Sequence, residues 1–314
     1  MTPLGYYSEY NCPKDTVFLI SAGAAGEIGY SDTPFWAADD CWYFECGKNL
    51  NGRFLYYALA CKQEYIFSRV RKASVPRLSR NVIDMLQIPL PPLAVQREIV
   101  RILDKFTLYS QELAAELAAR KKQYEFYRDK LLAHDKVRKV ALKELCINHD
   151  SKRRPITKNR RTVGQYPYYG ASGIVDYVDD YLFDGQYLLI SEDGANLLAR
   201  STPIAFSISG KAWVNNHAHV LEFNNKATRR YVEIYLNSIN LQKYISTAAQ
   251  PKLTQENLNR IEIPLPPLEV QERIVKVLDN FDAICSDLGI GLPAEIEKRQ
   301  QQYEFYRDKL LTFG

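Results

Sequence analysis

The strongest constraint on this chain is that it spells one thing twice. IPLPPLAVQREIVRILDKF starts at residue 88 and IPLPPLEVQERIVKVLDNF at residue 263, 175 positions later, and each leads to the same closing phrase, QYEFYRDKLL, at 123 and at 302. The match extends upstream. ASVPRLSR at 73–80 answers AAQPKLTQ at 248–255 with the same offset, VFLISAGAAG at 17–26 resembles YLLISEDGAN at 187–196, and FWAADD pairs loosely with AWVNNH, setting Trp36 beside Trp213. A tandem duplication obliges the two halves to fold alike, each as a divergent globular part followed by a nearly constant helical part.

The globular part reads as mixed α and β. DTVFLIS and QYLLIS are short apolar strands ending in glycine-containing turns, and CWYFEC and AHVLEF are further strand candidates. GRFLYYALACKQEYIF and TRRYVEIYLNSINLQKYI carry apolar spacing closer to that of a helix. The prolines of IPLPPL forbid a continuing helix and favour an extended connector between modules.

The constant part is helical with a coiled-coil rhythm. Ile99, Leu103, Phe106, Ser110, Leu113, Leu117, Arg120, Tyr124, Tyr127 and Leu131 recur at alternating steps of four and three. The second copy runs Ile274, Leu278, Phe281, Cys285, Leu288, Leu292, Ile296, Arg299, Tyr303, Tyr306 and Leu310, with one step of four following another. Because the closing phrases stand 179 apart rather than 175, the second helical region is four residues longer, just where its stripe stutters. Gly289, Gly291 and Pro293 fall there too, so a break between two helices is the alternative. Two stripes without a third partner pack most economically against each other as an antiparallel pair, although an ordinary helical pair within a core has the same periodicity. Four residues more or less move a helix end by about 6 Å and turn it by roughly 40° beyond a full revolution. The closing phrases, repeated nearly verbatim while the globular parts diverge, suggest two equivalent outer faces for two copies of one partner; recent duplication alone would also preserve them.

Composition bounds the rest. With 41 Lys and Arg against 37 Asp and Glu, the formal charge of +4 permits a polyanion partner without requiring one. No apolar run approaches the roughly 20 residues that span a bilayer, and MTPLGYYSEY lacks a secretory pattern, so a cytoplasmic address is expected. The six cysteines (Cys12, Cys41, Cys46, Cys61, Cys146, Cys285) form no CxxC pair and are expected to be reduced. No GxxxxGK[ST] loop, no NPPY-like base-handling motif and no carboxylate cluster with a nearby lysine stands in the sequence. SAGAAGEIG reads as a turn, Glu192 and Asp193 as solvated or capping groups like Asp39 and Asp40, and His217 and His219 as a histidine pair with no third ligand evident. No catalytic residue, cofactor or metal is expected.

The doubled IPLPPLxxQ(R/E)xIVxxLD motif, the closing QYEFYRDKLL and the ELAAELAA stretch at 112–119 closely resemble the specificity subunit of type I restriction-modification systems, over nearly the whole chain. The resemblance implies an α+β fold: two mixed α/β target-recognition domains joined by a pair of long antiparallel coiled-coil-like helical regions. The corresponding boundaries are 1–87 for the first recognition domain, 88–136 for the central spacer, 137–262 for the second domain and 263–314 for the C-terminal spacer. It further implies a non-catalytic subunit that reads a bipartite site in double-stranded DNA, with the helices as a molecular ruler. Its implied partners are two DNA-methyltransferase subunits and a restriction/translocase subunit. One departure stands out: about 16 residues precede VFLIS, where about 50 precede YLLIS in the second repeat. The first domain therefore looks truncated at its N-terminus. It is expected to fold incompletely, to pair with another copy of the chain, or to read DNA poorly.

For DNA contact the richest stretch is SKRRPITKNRRTVGQYPYYG, with Lys152, Arg153, Arg154, Lys158, Arg160 and Arg161 followed by Gln165 and Tyr168. Cations neutralise phosphates, and amides or guanidinium forks read base edges; a solvated basic loop is the plainer reading. Lys211 and Asn215, with Asn216 and His217, have the donors and acceptors to read bases. Arg69, Arg71, Lys72, Arg77 and Arg80 form the basic run of the first repeat, with Lys252 and Arg260 in the matching part of the second. By resemblance Arg77 and Lys252 are phosphate contacts, while helix capping explains the nearby Ser79 and Thr254 hydroxyls as well. Methyltransferase docking is assigned to Tyr124, Tyr127 and Arg128, and to Tyr303, Tyr306 and Arg307. The rival to a DNA-reading subunit is a rearranged or truncated scaffold that assembles with partners without competent two-half recognition.

Overall fold

The structure is a computed structural model that describes residues 4–133, 137–246 and 251–312. In chain order its elements are β1 (Thr16–Ile20), β2 (Ile28–Ser31), β3 (Cys41–Phe44), α1 (Gly52–Ala60), α2 (Gln63–Ser68), α3 (Arg80–Asp84) and α4 (Leu93–Leu132). There follow β4 (Lys139–Ala141), β5 (Ile147–Asn148), β6 (Val163–Gly170), β7 (Gly173–Val178), β8 (Phe183–Ser191), α5 (Asn196–Ala199), β9 (Ala205–Val214), β10 (Ala218–Glu222), α6 (Lys226–Ser238), α7 (Gln255–Asn259), β11 (Glu262–Pro264), α8 (Leu268–Ser286) and α9 (Leu292–Leu311). They form two compact units, one of residues 1–118 with 287–314, the other of residues 119–286. The α+β architecture with long helices is the one expected. Both helical spacers are divided between the units, and residues 134–136, which adjoin the expected start of the second recognition domain, lie outside the described set, as do 248–250 of AAQPKLTQ.

In the first unit β1 is the centre of a three-stranded antiparallel sheet, β2-β1-β3. The turn between β1 and β2 uses Gly23 and Gly26 at positive φ, so SAGAAGEIG is the turn its glycines suggest. In the second unit the sheet has six strands in the order β5-β10-β8-β9-β6-β7, with β6 and β9 parallel and the other pairs antiparallel. Leu188 and Ile190 of β8 face the core built with α6, and Leu189 faces the opposite one, which is why the run LLI is apolar without alternation.

The two sheets correspond, but one residue away from the sequence alignment. The Leu78 N–H donates to the Ser21 carbonyl at 2.8 Å, whereas Leu253, its repeat equivalent, donates to the carbonyl of Glu192 at 2.7 Å. Ser21 therefore answers Glu192 rather than Ser191, and Val17 and Leu19 answer Leu188 and Ile190, all four buried on the helix-covered face. A slip of one residue exchanges the two faces of a strand, so burial decides the register where VFLIS and YLLIS look interchangeable.

The doubled motif has a local logic. Gln96 and Gln271, the glutamines of IPLPPLxxQ, are buried and donate back to the carbonyls of Pro91 and Pro266, both at 2.7 Å. Each glutamine thus fastens the proline connector to the first turn of its helix. The motif aspartates meet arginines from the globular parts: Arg53 of α1 donates to Asp104 at 2.8 Å, and Arg230 of α6 to Asp279 at 2.8 Å.

The heptad stripe marks the packed face. Along α4 every stripe residue from Ile99 to Leu131 is at least partly buried except Tyr127, while most positions between them are exposed. In the first unit α4 and α9 run antiparallel, with Leu103 packed with Leu310 and Leu311 and Phe106 stacked on Tyr306. In the second unit the last turns of α4 pack on α8, where Tyr127 stacks on Phe281. The second stripe is broken rather than stuttering. Asp287 accepts from the backbone N–H groups of Gly289 and Ile290, and Pro293 opens α9, so the chain turns out of the helix at the position of the four extra residues.

Candidate nucleic-acid interface

The basic stretch of the second unit is two single turns of 3-10 helix, at Asp150–Lys152 and Lys158–Arg160, leading into β6. Its six cations do not behave alike. Lys152, Arg154, Lys158 and Arg160 are exposed. Arg153 turns inward with its side chain only 12% exposed. It donates to Glu192 at 2.5 Å and to the Ala218 carbonyl at 2.8 Å, and pairs with Asp150 at 3.3 Å. Arg161 is also held by the fold, donating to the Ile156 carbonyl at 3.0 Å and to Asp176 at 3.1 Å while its guanidinium covers the Tyr168 ring. The stretch is therefore not a uniform row: Arg153 is engaged by buried carboxylates and a carbonyl and Arg161 by Asp176 and a carbonyl, while the other four cations face solvent.

Tyr168 and Asn215 are buried as well. The Tyr168 hydroxyl accepts from the Ile156 N–H at 3.0 Å, and the Asn215 Oδ1 accepts from the His217 N–H at 2.8 Å. Both shape loops from below rather than forming surface. Gln165 and Lys211 are exposed, Lys211 lying over the rings of Tyr181 and Tyr166. In the first unit Arg69, Arg71, Lys72 and Arg77 are exposed, with Arg71 and Arg77 joined through their backbones and Arg69 over Tyr65. The capping explanation holds for Thr254, whose side chain accepts from the Asn257 N–H, but Ser79 makes no such bond.

Beneath the exposed cations lies a cluster that sequence reasoning dispersed. His219, fully buried on β10, contacts Asp150 through Nδ1 at 2.6 Å and the Leu253 carbonyl through Nε2 at 2.8 Å. Asp150 also accepts from the Val220 N–H at 2.9 Å, and Lys252 pairs with Glu192 at 2.9 Å. Glu192 is thus a buried, doubly paired carboxylate and not a solvated one. Burial pushes both acids upward, but for Asp150 the His219 contact, the Val220 N–H and Arg153 more than offset it. For Glu192 the bonds to Arg153 and Lys252 do the same, leaving both below the usual carboxylate range. Asp150, Glu192 and His219 offer three metal-ligand atoms within 4.8 Å of one another. Arg153 and Lys252 already balance the two carboxylates, however, so a divalent ion would have to displace a guanidinium. Apart from Asp150 and Arg153, which are neighbours in one turn, the bonded partners named here stand 34 to 70 positions apart, and no local spacing announces them.

On the helical tails, Tyr124 and Tyr303 are partly buried against the cores of their units, and Arg128 and Arg307 lie over those rings. Tyr127 and Tyr306 stack inward yet keep an exposed edge. The most open aromatic groups of the two tails are ones not singled out beforehand, Phe126 and Phe305, 62% and 60% exposed. They sit off the stripe inside QYEFYRDKLL, which was the available signal, with Lys130 and Lys309 over their rings.

Comparison with known proteins places this architecture among subunits that confer DNA specificity. Residues 2–120 and 134–298 match the type I restriction modification DNA specificity domain, and the chain belongs to that family. A type I specificity-subunit relative from Mycoplasma pneumoniae is 34% identical over 244 residues, covering 72% of this chain and 93% of its own length. A type I restriction enzyme specificity subunit from Escherichia coli is 34% identical over 259 residues, covering 72% of this chain but 63% of the relative. The crystal structure of the type I restriction-modification S subunit from M. genitalium superposes with a TM-score of 0.67 at 18% identity, over 99% of this chain and 86% of the other. The resemblance expected from the doubled motif is thereby established. Among the described residues no helix is long and apolar enough to cross a membrane.

Proposed function

We propose that this chain is the non-catalytic, cytoplasmic DNA-reading subunit of a type I restriction-modification complex. In this reading each globular unit recognises one half of a bipartite site in double-stranded DNA, and the helical segments set the spacing. The observation that carries it is the duplication itself: two globular units, each packed on a copy of the same helical motif, suit a target with two separated halves. Lys152, Arg154, Lys158, Arg160, Gln165, Lys211 and Lys252 are the contacts of the second unit, and Arg69, Arg71, Lys72 and Arg77 those of the first. The recognition domains correspond to residues 1–87 and 137–262, and the spacers to 88–136 and 263–314. The two tails each dock one methyltransferase subunit through an aromatic and cationic face, Phe126, Tyr127 and Arg128 in one copy and Phe305, Tyr306 and Arg307 in the other. A restriction subunit joins that assembly.

A second reading is supported by the first unit's sheet, which has three strands among the described residues against six in the second. There the chain assembles with its partners while only the second unit discriminates sequence. Mapping methylated sites in DNA exposed to this chain and its methyltransferase partner separates the two. A split motif with two defined halves supports the full reading. A symmetric motif from one half-site means that two chains pair through their second units, and no methylation from an assembled complex leaves the scaffold reading.

A further inference from the structure

Resting on the DNA-reading role above, we propose that the cluster of buried Asp150, Arg153, Glu192 and His219, closed at its edge by Lys252, is the positioning centre for base discrimination in the second unit. Four stretches of chain converge on it: the basic stretch through Asp150 and Arg153, the end of β8 through Glu192, β10 through His219, and the segment before α7 through Lys252 and the Leu253 carbonyl. Three of the stretches carry exposed polar groups at or next to the cluster. Lys152 and Arg154 flank Arg153, Asn216 and His217 precede β10, and Lys252 is itself half exposed. His217 is fixed from the side by Asp193 at 2.9 Å. One cluster therefore sets the relative placement of three groups of donors and acceptors that are remote in sequence.

Reading a base edge needs donors and acceptors held in place, whereas a phosphate is satisfied by any nearby cation. A cluster that fixes position should govern discrimination more than total affinity. The first unit lacks these groups: at the positions of Glu192, His219 and Lys252 it carries Ser21, Trp42 and Arg77. The device is particular to the second unit, so the two half-sites should respond differently to its loss.

The test is binding of the chain assembled with its methyltransferase partner to a duplex bearing the mapped site and to a random duplex, each titrated with salt. Glu192→Gln keeps the shape and removes the charge that holds Arg153 and Lys252. The expected result is a loss of about tenfold or more in affinity for the site, confined to the half read by the second unit. Affinity for random DNA stays within about twofold, with an unchanged salt slope. Equal losses on both duplexes, or no loss on either, overturn the proposal. Should Glu192→Gln not fold, Glu192→Asp, which retains the charge but shortens its reach, is held to the same split. If the wild-type assembly itself fails to distinguish the two duplexes, the DNA-reading role is overturned, and this inference falls with it.

Discussion

Phe106 stacks on Tyr306 with ring centroids 5.4 Å apart and planes 25° from parallel, and their repeat equivalents, Phe281 and Tyr127, stack at 5.7 Å and 29°. The head of each helical motif therefore meets the tail of the other copy, once in each unit. Duplication followed by this exchange gives two alike half-bundles. Phe106→Ala should lower stability by about 2 kcal/mol, since the ring is only partly buried. A double-mutant cycle with Tyr306→Ala should return a coupling of about 1 kcal/mol in denaturant unfolding. Phe281 with Tyr127 should behave likewise, and a coupling near zero in both would remove the stacks as a source of pairing.

Acid should loosen the second unit first. Asp150 and Glu192 are held below the ordinary carboxylate range in the fold, so each contributes stability above its unfolded value, near 4. That contribution is lost as pH falls through the lower folded values. Unfolding monitored between about pH 5 and 2 should show a steep decline, and Asp150→Asn should be less stable at neutral pH yet decline less steeply. A parallel decline in wild type and variant would contradict the assignment.

What could be read without coordinates was whatever has a period. The heptad stripe located the packed face of α4 because burial follows helical spacing, and Gly289, Gly291 and Pro293 marked the break because their backbone limits are local. The strand register was not legible: Val, Phe, Leu and Ile are apolar on either face, and only the packing of Val17 and Leu19 against α1 and neighbouring residues orients β1. The inward turn of Arg153 was equally hidden. A cation beside other cations looks solvated until Asp150, Glu192 and the Ala218 carbonyl are brought round it by strands far along the chain.

The exposed and buried cations should separate in mutagenesis. Replacing Lys152, Arg154, Lys158 and Arg160 with glutamine should leave unfolding almost unchanged, because surface charges contribute little to stability. If all four meet phosphates, the dependence of log affinity on log salt should become shallower by roughly 3 to 4. Arg153→Gln should instead destabilise the unit by about 2 kcal/mol or more, since two buried carboxylates each lose one charged partner while Lys252 and His219 remain. Fluorescence anisotropy over a salt series, paired with thermal unfolding of each variant, reads both effects. A large stability loss in the fourfold variant would show that those side chains are structural.

The two tails predict a stoichiometry. Phe126 and Phe305 are large apolar groups left mostly in water at equivalent positions of identical decapeptides, and truncating either removes little that the isolated chain uses. Phe126→Ala and Phe305→Ala should each change stability by less than about 0.5 kcal/mol. If each ring anchors one methyltransferase subunit, a single variant should shift the assembly measured by native mass spectrometry from two methyltransferase subunits per chain to one, and the double variant to none. Buried aromatic anchors commonly cost 2 kcal/mol or more on truncation, about thirtyfold in affinity, so the shift should be visible at micromolar concentrations. Unchanged stoichiometry in the double variant would move the docking face away from the closing phrase, to the stripe-flanking positions of α8 and the first half of α4.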